Sequence, residues 1–283
     1  MDAEISLAER FEARRGHLRS VAYRMLGSLS EAEDAVQEAW LRLGRTDVSE
    51  VENLAGWLTT VTGRVCLDML RSRKARREEL GDERLPDPIV TRDPEQEVLV
   101  ADQVGIAMMV VMEALAPAER LAFVLHDMFA VPFDEIAPVI DKTPAATRQL
   151  ASRARRRVKD SAPTPDPDLG RQREAVEAFF TAARDGDLEA LVTILDPDVV
   201  LRVDLGDGGP LRVVRGARNV AGQALTYRQL SAAMEYVLVN GAVGMVNMTG
   251  GSAQSLMALT VENGRIVTME IIADPDRLAS LGL

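Results

Sequence analysis

The sequence predicts a multidomain fold in which two all-α units are followed by an α+β unit. Apolar residues recur at helical spacing through most of the first 160 residues, and shorter alternating runs replace them after a Pro-rich break at 161–167. A Pro- and Asp-rich segment from 81 to 94 favours extended backbone and divides the helical part. The predicted boundaries are 1–85 for the first domain, 86–100 for a linker, 101–160 for the second domain, 161–170 for a second linker and 171–283 for the third domain.

Composition limits the class of protein. Of the 283 residues, 47% are hydrophobic, which excludes disordered and collagen-like chains. No stretch approaches the roughly 18 apolar residues of a membrane span, and the N-terminus is acidic where a signal peptide is basic, so we expect a cytoplasmic protein. The lone Cys66 is expected to be a small buried hydrophobe rather than a nucleophile. His17 and His126 have no Cys, Asp or Glu at metal-ligand spacing, so we expect no metal and no cofactor.

The first two helices are predicted at 7–26 and 31–43. Gly27 interrupts the periodic pattern, and Ser30 is expected to cap the second helix, with Glu33 completing a capping box. One face of this helix is acidic, since Asp34 and Glu38 form a like-charged pair four residues apart. This face indicates a basic partner, although a solvated acidic face explains it equally well. The residues that share it are Asp34, Gln37, Glu38 and Leu41.

A third helix, predicted from 53 to 77, has a strongly basic side. Arg64, Asp68 and Arg71 recur at i, i+4 and i+7, so Asp68 can pair with both arginines and orient them. Residues 64–77 contain six basic side chains and one acidic side chain, which predicts a nucleic-acid surface. The candidate DNA contacts are Arg64, Asp68, Arg71, Arg73, Lys74 and Arg76.

A helix-turn-helix is predicted farther along the chain. Residues 133–140 read as a short amphipathic helix, which Pro138 should kink or end. After a two-residue turn, Thr143 can cap a second helix whose first residue is Pro144. In such a unit the second helix enters the major groove. The candidate DNA contacts on it are Thr147, Arg148, Gln149, Ser152, Arg153, Arg155 and Arg156.

The basic helix has a simpler explanation, because six basic residues between 143 and 159 also suit a solvated helix end. The charge of the whole chain bears on this choice. Residues 1–160 hold 23 basic and 28 acidic side chains, and residues 161–283 hold 10 and 16. A protein that finds DNA unaided is usually basic overall, because phosphate neutralisation dominates non-specific affinity. We therefore expect a larger partner to supply most of the attraction to DNA.

Three motifs occur in an order that resembles the extracytoplasmic-function (ECF) sigma factors of bacterial RNA polymerase. They are the segment 34–43, the segment 57–71 and the helix-turn-helix, and together they cover most of residues 7–158. The resemblance implies that Asp34, Gln37 and Glu38 face core polymerase. It further implies that the helix at 64–77 and the loop before Trp57 read and help to open the -10 element, and that residues 148–153 of the helix-turn-helix read the -35 element. Arg64 departs from the broad family, which often has Asn there.

Shorter motifs are similar to a subgroup of these sigma factors that carries a fused SnoaL-like C-terminal domain. They lie in the linker, in a Gly-rich loop and near the C-terminus, and each differs from the subgroup at one or more positions. The resemblance implies that these motifs form regulatory contacts between domains. Their residues are Leu85, Pro86, Asp87, Pro88, Asp207, Gly208, Gly209, Asp274, Pro275, Asp276 and Arg277.

The third domain is predicted to contain helices at 171–184 and 187–195 followed by five strands. The strands are predicted at 198–204, 234–240, 244–249, 254–262 and 265–272, with a hairpin turn at Asn263-Gly264. This pattern matches the cone of the NTF2/SnoaL class, which usually encloses a pocket. Asp204, Tyr227 and Arg202 could line it, but the domain lacks His and Cys, so we expect no catalysis. Five methionines in the strands are expected to be core residues, although small-molecule sensing stays open.

We therefore expect a sigma factor, not an enzyme, that binds core RNA polymerase, recognises -10 and -35 elements and is regulated in cis by its third domain. The free protein is expected to be monomeric. An alternative is a helix-turn-helix regulator that acts without polymerase and senses a ligand. A further alternative is a cyclase-type enzyme with a DNA-binding appendage.

Overall fold

A computed structural model describes residues 7–46, 51, 53–80, 84–92, 104–206, 208–226 and 234–283. The chain forms two compact units, one from Met1–Glu79 with Val111–Ser161 and the other from Leu80–Val110 with Ala162–Leu283. The segment around the first predicted linker thus clusters with the C-terminal part of the chain. Among the described residues, no helix is long and apolar enough to cross a membrane.

The first unit is helical, and the apolar faces of its helices are buried. Helices α1 (Leu7–Leu26) and α2 (Leu29–Leu43) pack against each other, with Phe11 and Trp40 in ring contact at 4.9 Å between centroids. Helix α3 (Leu54–Leu80) follows. The prediction that Ser30 caps α2 is wrong, because the N-cap is Ser28, whose side chain accepts a hydrogen bond from Glu31 N.

The second part of this unit contains the helix-turn-helix. Helix α4 (Ile106–Glu113) begins near the unit boundary and is followed by α5 (Pro117–Phe123), which continues into a π-helical turn at Val124–Met128. Helix α6 (Phe133–Ile136) passes into a 3-10 turn at Ala137–Ile140, which confirms the break expected from Pro138. Helix α7 (Pro144–Ser161) then follows, and Thr143 Oγ1 accepts from Ala146 N at 3.2 Å as its cap.

The second unit packs helices on one mixed sheet. Its helices are α8 (Leu169–Asp185), α9 (Leu188–Ile194), α10 (Ala217–Thr226) and α11 (Pro275–Ser280). Its strands are β1 (Val90–Thr91), β2 (Leu195–Asp204), β3 (Arg212–Arg215), β4 (Met234–Val239), β5 (Ala242–Thr249), β6 (Ser252–Glu262) and β7 (Arg265–Ile272). The order across the sheet is β1-β4-β5-β6-β7-β2-β3, and only β2 and β7 are parallel neighbours among these strands.

Each face of the sheet has its own core. Helices α8, α9 and α10 cover the larger core, where Phe179 and Phe180 lie with Met245, Met257 and Met269 of the strands. This confirms three of the five methionines as buried core residues, while Met234 and Met248 are partly buried. The opposite face has a smaller core that includes Leu85 of the linker and Leu278 of α11. The inner face of the predicted cone is therefore lined by apolar side chains of these helices and strands.

In the described part of the second unit, two strands (β1 and β3) and two helices (α10 and α11) were not predicted. Strand β1 pairs Val90 with Val239 of β4 and Thr91 with Leu238, so a segment expected only to separate domains is an edge strand. The predicted hairpin between β6 and β7 is confirmed, since Asn263 and Gly264 both have positive φ, at 52° and 74°.

Candidate nucleic-acid interface

Helix α7 turns one side to the core and the opposite side to solvent. Its buried residues recur every three or four positions, namely Thr147, Ala151, Ala154 and Val158. The residues half a turn away therefore point outwards. Gln149, Ser152 and Arg156 lie on this outward face and Arg148 and Arg153 lie at its two edges, all of them exposed.

Thr147 is a correction to the predicted set of DNA contacts. Its side chain is fully buried. Its hydroxyl donates to the carbonyl oxygen of Thr143 at 3.0 Å. Because a threonine in a helix can satisfy its hydroxyl on the preceding turn, its polarity does not indicate that it faces solvent.

Three arginines of α7 have carboxylate partners elsewhere in the same unit. Glu119 of α5 lies between two of them, with Oε1 3.3 Å from Arg153 Nε and Oε2 3.1 Å from Arg157 Nη1. Arg155 Nε donates to Asp127 Oδ1 at 2.7 Å. Since the arginine side chains are more than half exposed, these pairs add little stability, but each carboxylate lowers the net positive charge of the surface.

Arg148 is held differently. Its guanidinium carbon lies 5.4 Å from the centroid of the Phe133 ring, which is a cation-π contact. Within the part of the chain that the structure describes, no carboxylate lies at ion-pairing distance from it. Arg148 therefore keeps its full charge and its N-H donors.

The basic face of α3 is exposed as predicted for most of its residues. Arg64, Asp68, Arg71 and Lys74 are all exposed. Asp68 Oδ1 lies 3.9 Å from Arg71 Nη1, whereas the expected second pair with Arg64 is not formed among the described residues. The side chain of Arg76 lies outside the described residues. The face thus presents cations with one interposed carboxylate.

Arg73 is a second correction to the predicted DNA contacts. Its side chain is 17% exposed and forms an ion pair with Glu31 of α2. Its Nη1 also donates to the carbonyl oxygen of Leu26 at 2.9 Å. In this conformation Arg73 therefore joins three helices of the first unit instead of facing DNA.

Sequence reasoning missed the buried Arg120. Only 2% of it is exposed, and its Nη1 donates to Glu113 Oε1 at 2.7 Å. Its Nε and Nη2 both donate to the carbonyl oxygen of Arg24, at 3.3 and 3.2 Å. Glu113 also lies 3.9 Å from Arg73. This network joins the end of α1 to the later helices, and no local signal distinguishes such an arginine from a solvated one.

Helix α2 presents a surface of different character. Asp34, Gln37 and Leu41 are exposed, and Leu41 is 45% exposed, which is large for an apolar side chain. Glu38 lies with them and pairs with Arg42 at 3.0 Å. Because carboxylates repel phosphates while an exposed leucine favours apolar contact, this face suits a protein partner and not DNA.

In the second unit, Arg277 of the C-terminal motif connects the linker motif to Asp204 at the end of β2. Its Nη1 lies 2.7 Å from Asp204 Oδ2, and its Nε donates to Asp87 Oδ1 at 2.9 Å. Its Nη2 donates to the carbonyl oxygen of Leu85. Asp204 Oδ2 in turn accepts from Leu85 N at 2.9 Å. The linker and the start of α11 are thereby tied to the end of β2.

The remaining motif residues surround this junction. Asp274 caps α11 by accepting from Asp276 N at 3.1 Å and Arg277 N at 3.2 Å. At Gly206, where φ is 71°, a Cβ would lie 2.3 Å from the Asp274 carboxyl group, so the approach requires glycine. Pro86 and Pro88 are buried, Gly208, Pro275 and Asp276 are exposed and Gly209 is intermediate. Asp207 lies outside the described residues.

Two of the three predicted cavity residues form buried ion pairs. Asp204 is buried against Arg277, and Arg202 Nη1 donates to Glu270 Oε1 at 2.9 Å. Tyr227 lies outside the described residues. Glu270 is 2% exposed, and burial raises its pKa to about 7 although Arg202 and the Thr268 hydroxyl oppose the shift. Sequence reasoning missed this buried pair.

Cys66 and His17, which could act as a nucleophile or a metal ligand, lie in structural surroundings. Burial raises the pKa of the Cys66 thiol to about 12, so the side chain is a neutral core residue. His17 lies 3.2 Å from Thr59 Oγ1, and burial with the nearby Arg14 and Arg24 lowers the pKa of its ring. The described residues contain no group of three His, Cys, Asp or Glu that could hold a metal ion.

Comparisons with known proteins match these features. Residues 10–76 match the family Sigma-70 region 2, and residues 106–158 match Sigma-70, region 4. The ECF RNA polymerase sigma factor SigJ of Mycobacterium tuberculosis is 42% identical over 94% of this chain and 91% of its own length. A probable ECF sigma factor, SigI of the same species, is 34% identical over 96% of this chain and 94% of its own. The crystal structure of SigJ matches with a TM-score of 0.75 at 40% identity, covering 95% of this chain and 97% of that one.

Two basic helical surfaces, a helix-turn-helix and the matches to Sigma-70 regions 2 and 4 define a transcription initiation factor of the sigma-70 class. The chain belongs to the ECF sigma factors of RNA polymerase. The predicted order of fold classes is confirmed, since two all-α sigma domains precede an α+β domain. The alternative of a polymerase-independent regulator is not favoured.

Proposed function

We propose that three surfaces of the first unit have separate roles in promoter recognition. The exposed face of α2, with Asp34, Gln37, Glu38 and Leu41, binds core polymerase. The basic face of α3 binds the -10 element and assists strand opening by capturing an unstacked base. The outward face of α7 reads the -35 element in the major groove.

The observation that carries this proposal is the separation of charge on a chain of net charge -11. Two exposed basic helix faces are available to phosphates, while the exposed face of α2 combines carboxylates with Leu41. Such a chain needs a partner to reach DNA, because its local patches are too small to dominate non-specific binding. The protein is accordingly a polymerase subunit and not an enzyme, it acts in the cytoplasm, and the free chain is a monomer.

In-vitro transcription with purified core polymerase tests this assignment. Promoter-dependent transcripts should appear from genomic fragments only when both the chain and core polymerase are present. If no template yields such a transcript, the assignment fails. Band shifts by the chain without polymerase would instead favour the autonomous regulator. Turnover of a substrate that survives deletion of residues 1–160 would favour the cyclase-type enzyme.

Arg153 gives a residue-level test of the -35 assignment. Arg153→Ala should weaken -35 binding by about 1 to 3 kcal/mol if the side chain reads a base. The loss should then depend on the base at one position, whereas a phosphate contact would weaken all -35 sequences alike. Arg171→Ala, which removes a 69% exposed arginine in the second unit, is the matched control and should leave promoter binding unchanged.

We further propose that the NTF2/SnoaL-like domain regulates the sigma domains in cis through the linker that joins them. The support is the Arg277 junction, which ties Leu85 and Asp87 of this linker to Asp204 and α11 within the second unit. A truncation near residue 168 should change promoter activity, since the linker then loses these partners. Equal transcription by the truncated and full-length chains would remove the regulatory proposal.

We propose that a small-molecule ligand of this domain binds in a surface groove. A groove of about 350 Å³ lies between β1, β4 and the start of α8, and Arg92, Arg173 and the 40% exposed Tyr236 line it. These groups suit an aromatic acid, because the two guanidinium groups attract a carboxylate and the ring offers a stacking face. Titration with benzoate tests this, and Arg173→Ala should abolish saturable binding.

A further inference from the structure

Two side chains, His126 and Arg148, lie against the ring of Phe133. The His126 ring stacks on the Phe133 ring with centroids 3.7 Å apart and 26° between their planes. Arg148 of α7 lies 5.4 Å from the centroid of the same ring. His126 Nδ1 lies 3.0 Å from the carbonyl oxygen of Val131, so a proton on Nδ1 would donate to it and fix the imidazole plane. Phe133 thus has a neighbour that fixes its orientation.

The position of Phe133 at the start of a helix further restrains its side chain. It is the first residue of α6, directly after Pro132, which is the N-cap. Proline fixes its own φ and therefore limits the path by which the chain enters the helix. The ring is only partly buried, so one part of it stays available at the surface where Arg148 is exposed. Phe133 is therefore both restrained and accessible to Arg148.

A ring holds an arginine in a different way from a carboxylate. Arg153, Arg155 and Arg157 use N-H groups on Glu119 or Asp127, which also cancel part of their charge. A phenyl ring uses none of the five N-H donors and leaves the charge intact. It still restricts a long side chain whose rotamer entropy would otherwise oppose binding. Arg148 is consequently held in place while its N-H groups remain available to donate to guanine O6 and N7.

We propose that Phe133 is a positioning residue that orders Arg148 for base recognition in the -35 element. The inference rests on the proposed role of α7 in reading that element. It adds that discrimination between bases depends on a residue of the preceding helix that carries no charge and need not contact DNA. Loss of the ring should therefore weaken discrimination at one base position and leave the phosphate contacts of the other arginines in place.

The test measures binding of the reconstituted holoenzyme to a promoter and to variants with each -35 base changed in turn. Phe133→Leu keeps an apolar side chain and removes the ring, so it should lower discrimination at the base read by Arg148 by about two- to five-fold. Phe133→Tyr keeps the ring and should retain the original profile. Arg148→Lys keeps the charge but lacks the planar fork, and it should lower discrimination at the same position.

A variant that combines Phe133→Leu with Arg148→Ala distinguishes a positioning role of Phe133 from a general loss of structure. If Phe133 acts through Arg148, then adding Phe133→Leu to Arg148→Ala should cause no further loss of discrimination. An equal loss for every -35 sequence with Phe133→Leu would overturn the inference, as would an unchanged profile. If Arg148→Ala itself leaves all -35 preferences intact, the proposed role of Arg148 fails, and the inference fails with it. Should Phe133→Leu lower the unfolding temperature sharply, Phe133→Met provides the ring-free variant.

Discussion

Arg277 Nη1 and Asp204 Oδ2 lie 2.7 Å apart, and only 9% and 4% of the two side chains are exposed. The pair joins residues at the end of a strand and at the start of the last helix, and the same guanidinium also holds the linker through Leu85 and Asp87. The contribution of this pair to stability can be measured directly.

Removal of Arg277 should destabilise the second unit strongly. Arg277→Ala leaves Asp204 buried with one partner fewer, so the free energy of unfolding should fall by about 3 to 5 kcal/mol. Chemical denaturation of the full chain measures this change. Arg218→Ala breaks an exposed pair with Glu189 and should change stability by less than about 1 kcal/mol. Similar losses for the two variants would contradict the prediction.

A second stability test concerns Arg120 in the first unit. Arg120→Met keeps a long apolar stem but removes the donors to Glu113 and to the carbonyl oxygen of Arg24. The substitution leaves the partly buried Glu113 carboxylate and the Arg24 carbonyl group without these hydrogen bonds. The free energy of unfolding should therefore fall by about 3 kcal/mol. Denaturation followed by the fluorescence of Trp40 and Trp57, both in the first unit, reports the change. Arg15→Ala, in an exposed pair with Glu12, serves as control and should have little effect.

Glu119 should lower the affinity of the outward face of α7 for promoter DNA. Glu119→Gln removes the charge that Arg153 and Arg157 share, so holoenzyme binding to promoter DNA should strengthen. The slope of log K against log salt should steepen by about 0.9 if one more phosphate is neutralised. Glu12→Gln removes a charge from another exposed pair and should leave the slope unchanged. Identical slopes for wild type and Glu119→Gln would refute the prediction.

The buried carboxyl of Glu270 predicts a pH-dependent stability. Burial raises its pKa from an ordinary 4.5 to about 7, so the folded chain binds this proton more tightly than the unfolded chain. Stability from this group is fully present below pH 4.5 and is lost as pH rises through 7, by about 3 kcal/mol in total. Glu270→Gln should flatten the difference between pH 5 and pH 8 in denaturation experiments. A variant with the same pH dependence as wild type would exclude Glu270 as the cause.

Local signals in the sequence predicted much of the fold because they act through near neighbours. Thr143 and Pro144 begin α7 as expected, and Asn263-Gly264 closes the hairpin between β6 and β7. Strand β1 could not be predicted in this way, since its two residues become a strand only by pairing with β4, well over a hundred residues away. Its local sequence carries no alternating pattern.

The candidate DNA-contact surfaces also contain residues that helix periodicity could place and residues that it could not. Periodicity placed Gln149, Ser152 and Arg156 on the outward side of α7, where they are exposed. It could not separate Arg73 from its exposed neighbour Lys74, because the difference arises from Glu31 and the carbonyl oxygen of Leu26 on other helices. A count of basic residues gives the charge of a helix, but the partners that neutralise each side chain depend on the tertiary structure.

The pairing of β1 with β4 also makes the linker depend on the C-terminal domain for its own structure. Residues Leu85–Thr91 are held by this pairing and by the hydrogen bond from Leu85 N to Asp204. Deleting residues 169–283 would remove these partners and uncover the buried Leu85 side chain. The shortened chain would then carry an apolar segment with unpaired backbone groups, which is the kind of segment that pairs with other chains. Size-exclusion chromatography of the shortened chain would show whether a change in transcription comes with self-association.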